Sequence, residues 1–98
     1  MRFQKPFTLV QRQDAISVYN SLRNWLNDAR FVHPPRTPDE QEILREFKRI
    51  VREFRHLLFV KDAKVNVRAL NDLVARADVL AVEYNVLVTT GPWRNPNA

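Results

Sequence analysis

Arg45, Lys48, Arg49, Arg52, Arg55 and His56 follow one another at steps of one and three residues. On a helical wheel that spacing gathers all six on one face, with no acid between them. The nearest acids in the run, Glu46 and Glu53, fall at the edge of that face, beside the apolar stripe. From residue 44 to 61 six Lys or Arg stand against these two Glu, whereas residues 62 to 98 carry equal numbers of acids and bases. Guanidinium forks bind phosphate oxygens or carboxylates bidentately, so such a face suits nucleic-acid phosphates or an acidic protein surface. With four or five phosphates neutralised, log K falls against log salt with a slope of roughly −4. The plainer use of the same residues is solubility and weak local pairing, Glu42 with Arg45 and Glu46 with Arg49.

Other chemistry is thinner. Glu53 and His56 have the Glu-x-x-His spacing of di-iron bundles, but the second copy and the further carboxylates that such a site needs are missing from the sequence. No metal is expected there. Asn20, Asn24 and Asn27 with Ser21 form a polar strip that faces water on an amphipathic helix. Ser17 and Ser21, the two serines, sit inside a helical segment rather than on a nucleophile elbow. One glycine, Gly91, cannot build a phosphate-cradling loop, and the absence of cysteine removes thiolate metal sites, disulfides and thiol nucleophiles together. No nucleophile, base and orienting group can be assembled, so neither an enzyme, a cofactor nor a small-molecule substrate is expected.

The elements that must hold the basic face follow from punctuation and periodicity. Of 98 residues 45% are hydrophobic and 28% charged, with a net charge of +5. This is one domain's worth of chain with material for a core. Prolines at 6, 34, 35, 38, 92 and 96 leave two long stretches free of proline and glycine, which favours helices over turn-linked strands. Thr8-Leu9-Val10-Gln11 reads as a capping box before Ala15, Tyr19, Leu22, Leu26 and Ala29. Thr37-Pro38-Asp39-Glu40 offers a hydroxyl cap, proline at the first helical position and acids at the positive dipole end. Ile43, Phe47, Ile50, Phe54 and Leu57 then form the stripe, flanked by Leu44, Val51 and Leu58. Asn66 is the third cap, ahead of Leu70, Leu73, Ala77, Leu80, Tyr84 and Leu87, and Gly91-Pro92 stops the helix. The expectation is all-α: an antiparallel, up-down-up three-helix bundle with helices at about 8–31, 38–60 and 67–90. Residues 1–98 form a single domain on this reading, with tails at 1–7 and 92–98.

The third helix has more apolar surface than one stripe requires. Val79, Val82 and Val86 lie at its flank and back, and Trp93 stands just past its end. Such an excess predicts a protein interface, plausible as a homodimer, unless the N-terminal Phe3 and Phe7 cover it. A helix-turn-helix is not expected, since the 61–66 link is long and the third helix is too long and too neutral to read bases. No leader or membrane-spanning run is seen, which makes the cytoplasm the default location. The sequence thus predicts a small basic non-enzymatic regulator that binds nucleic acid, or a nucleic-acid-associated machine, through Arg45, Lys48, Arg49, Arg52, Arg55 and His56. The alternative is an adaptor or inhibitor that docks on an acidic partner or through the third helix.

Overall fold

In the computed structural model residues 2–59 and 65–90 are described, and they form three helices: α1 (Leu9–Val32), α2 (Pro38–Leu58) and α3 (Val67–Thr90). Each boundary has a local cause. The Thr8 hydroxyl accepts from the Gln11 N–H at 3.2 Å, Thr37 from Glu40 at 3.2 Å, and the Asn66 side-chain oxygen from Ala69 at 3.0 Å. Each cap satisfies a donor that the helix cannot pair internally. Proline at the head of α2 has no N–H to lose, and Asp39 and Glu40 meet the positive dipole end.

Helix α2 lies between its neighbours, packed against both α1 and α3. Arg12 at the start of α1 reaches the end of α2 at Leu58, and Asp39 and Ile43 at the start of α2 share a groove with Val86 and Leu87 near the end of α3, so successive helices run antiparallel. The core is contributed by all three: Ala15, Leu22 and Leu26, then Phe47, Ile50 and Phe54, then Leu70, Leu80 and Tyr84. Trp25 ties them together, 4.4 Å from the Phe47 ring and edge-on to Tyr84 at 5.7 Å. The expected stripes are present but rotated. Leu44, Val51 and Leu58 are buried in α2, while Ile43 and Leu57 are only half-buried; in α3 Val88 is buried and Leu87 is not. A middle helix gripped from two sides buries an arc, and neighbours decide which edge of the arc goes deepest.

Three further differences concern the ends. Only half of the first capping box forms: the Gln11 side chain turns from Thr8 to the tail, accepting from Gln4 N–H at 2.6 Å and donating to the Pro6 carbonyl at 2.8 Å. The tail itself is part of the core. Phe3 is wholly buried against Phe54 and Phe7, and the Asn71 side chain holds its backbone twice, accepting from Phe3 N–H and donating to Phe3 C=O, both at 2.9 Å. At the opposite end Glu40 is almost fully buried and accepts from the Arg36 N–H at 3.1 Å, while Tyr84 O–H donates to the His33 carbonyl. The α1–α2 connection is therefore fastened to both helices that follow it.

Candidate functional site

The six sequence-predicted residues of α2 are all exposed and all on one face. From Arg45 to Arg55 they cover about 15 Å of helix axis. Their pairing is uneven. Arg45 binds Glu42 at 2.6 Å, and Arg49 stands 3.9 Å from Glu53. Glu46 is engaged elsewhere, accepting from Arg76 Nε at 2.9 Å and Nη2 at 3.3 Å. That hydrogen bond draws the Glu46 carboxyl below its ordinary range, against a smaller opposing effect of desolvation. The expected Glu46–Arg49 pair remains only as a minor electrostatic contribution, and the Glu46 hydrogen bonds cross to α3. Among the described residues no acid pairs with Lys48, Arg52 or Arg55.

The two flanks of α2 have opposite character. Toward α1, Arg30 joins Arg45 and Lys48 around a shallow notch floored by Leu44 and Pro35, which widens the basic face beyond α2. Toward α3, an apolar groove of Ile43, Leu80, Val82, Val86 and Leu87 is rimmed by Asp39, Glu42, Glu46 and Glu83. At the far end of the basic face Arg52, Arg55 and His56 surround Phe59, which is 56% exposed and whose ring meets Tyr19 edge-on. Arg30 and Phe59 were not among the expected site residues. Residues 1 to 36 carry six Lys or Arg against two Asp, which is the one sequence signal that points toward Arg30, and nothing local marks Phe59.

Glu53 and His56 are both exposed, and among the described residues no three His, Asp or Glu side chains come together as a metal-binding group. Val79, Val82 and Val86 are exposed at 47%, 63% and 54%. The buried Phe3 packs near Asn71 instead, so the tail leaves these valines uncovered. Trp93 lies outside the described residues. No described helix is long and apolar enough to cross a membrane. No protein-family model matches this chain, and no significant match was found among curated proteins or solved structures.

Proposed function

We propose that this chain is a small basic, non-enzymatic regulator. It binds the phosphate backbone of nucleic acid, or of a machine that carries nucleic acid, through the exposed face of α2. The observation that carries this reading is the acid-free row of Lys48, Arg52 and Arg55, extended by Arg45, Arg49 and, across the α1 boundary, Arg30. Arg and Lys are the side chains that make the backbone contacts which position a protein on nucleic acid without reading its sequence. Sequence-independent, salt-sensitive binding is the outcome, and a cytoplasmic setting goes with such a partner. The test is binding to mixed-sequence duplex and single-stranded oligonucleotides at low salt. Arg49→Glu combined with Arg52→Glu strongly weakens it if the face is correctly assigned; unchanged binding refutes the assignment.

A second reading, an adaptor or inhibitor that docks on protein, is favoured by the exposed valines of α3. An acidic partner would meet the same α2 face, and then the oligonucleotides fail to bind while the charge reversal still disrupts the protein complex.

A further inference from the structure

We infer that the outer face of α3 pairs with the same face of a second copy of this chain, antiparallel and two-fold symmetric. The inference rests on the docking reading of α3 and adds the partner and its register.

Ala75, Val79, Val82 and Val86 are exposed and spaced four, three and four residues apart. That is the alternation of a coiled-coil seam, turned directly away from the buried Ala77, Leu80 and Tyr84. The seam is short, and its flanks are unlike. One flank carries Arg76 and Glu83, the other Asp78 and Asn85. Side-by-side parallel pairing sets Asp78 of each copy against Glu83 of the other, a like-charge contact made twice. Antiparallel pairing instead opposes Val79 to Val82 and Ala75 to Val86 across the axis, and it sets Arg76 of each copy beside Glu83 of the other. The charges therefore select one orientation and penalise the alternative. Arg76 is able to serve both contacts. Its Nε and Nη2 are used on Glu46, and a guanidinium carries further N–H donors. Arg30, Arg45 and Lys48 line the α1 side of α2, away from this seam, so the pairing leaves them open on both copies.

The absence of cysteine makes a single labelled site simple to install. Sedimentation across a series from low micromolar to near millimolar concentration should show a monomer–dimer equilibrium, lost in Val82→Glu while its helical circular dichroism is kept. Glu83→Arg should weaken the dimer by about ten-fold in the antiparallel register, where it meets Arg76, and would tighten a parallel one, where it meets Asp78. A nitroxide at Arg68→Cys should report a spin–spin distance of about 40 Å, twice the axial offset from the two-fold. A short distance between neighbouring labels overturns the antiparallel register, and so does a Glu83→Arg that leaves the dimer unchanged or tightens it. A chain that stays monomeric throughout overturns the pairing itself. Binding of an apolar dye that Val82→Glu removes then separates the two failures: dye bound to a monomer leaves α3 a docking face for another protein, and no dye bound ends the docking reading too.

Discussion

The salt dependence of nucleic-acid binding puts a number on the α2 face. Lys48, Arg52 and Arg55 are without acid partners among the described residues, whereas Arg45 and Arg49 share theirs with Glu42 and Glu53. If those two pairs persist in the complex, three phosphates are neutralised and the log–log slope on duplex is about −3. If the pairs open, five are neutralised and the slope steepens to about −4.5. Both local pairs are exposed and worth little, so phosphate competes well for Arg45 and Arg49 and the steeper value is expected. Removing two contacts by Arg49→Glu with Arg52→Glu reduces the slope by about 2. At about 0.1 M salt it lowers affinity by at least about 60-fold. Fluorescence anisotropy with a labelled duplex, titrated at four or more salt concentrations, reads both quantities. A wild-type slope near zero, or a double variant with an unchanged slope, refutes the reasoning.

Other perturbations test the frame that presents this face. Phe3→Ala should cost about 3–5 kcal/mol in urea unfolding, as expected for a fully buried aromatic rather than a loose tail. Asn71→Ala, which releases the Phe3 backbone, should cost about 1–3 kcal/mol in the same assay. Tyr84 titrates above its usual range, chiefly because of burial and secondarily because of Glu40. Its contribution is therefore complete below the ordinary tyrosine pKa and lost as pH rises through the raised one, and Tyr84→Phe should flatten that alkaline decline in thermal melts. Glu46 shows the opposite sense: its contribution is complete above the ordinary carboxylate range and lost as pH falls through its lowered pKa. Glu46→Gln should remove that small acid-side dependence, and high salt should mask it in the wild type.

Sequence pattern made the helices legible because their causes are local. Thr8, Thr37 and Asn66 sit within three residues of the donors they satisfy, and the four-three alternation survives any arrangement of neighbours. The outward direction of the α2 cations follows from the same periodicity. What pattern could not supply depends on distant partners. Phe3 is placed by a residue 68 positions away, and Arg12 donates to the Leu58 carbonyl 46 positions on, at 2.8 Å, where it meets the carbonyl end of α2. Neither leaves a periodic trace. Glu40 reads as a first-turn acid and is one, yet its near-complete burial depends on α3 bringing Tyr84 to that end of the bundle. Arg30 belongs to α1 in sequence and to the face of α2 in space.

The grip of Asn71 on Phe3 also sets an order of events. Phe3 leaves the ribosome long before Asn71 does, and its cavity beside Phe54 does not close until α3 has begun to form. An earlier-made residue is thus seated late, since a contact spanning so much chain forms only after the local helices have shortened the gap. Until then an aromatic ring waits in water, and release of a nascent chain stalled before residue 71 should expose it to proteases and chaperones alike.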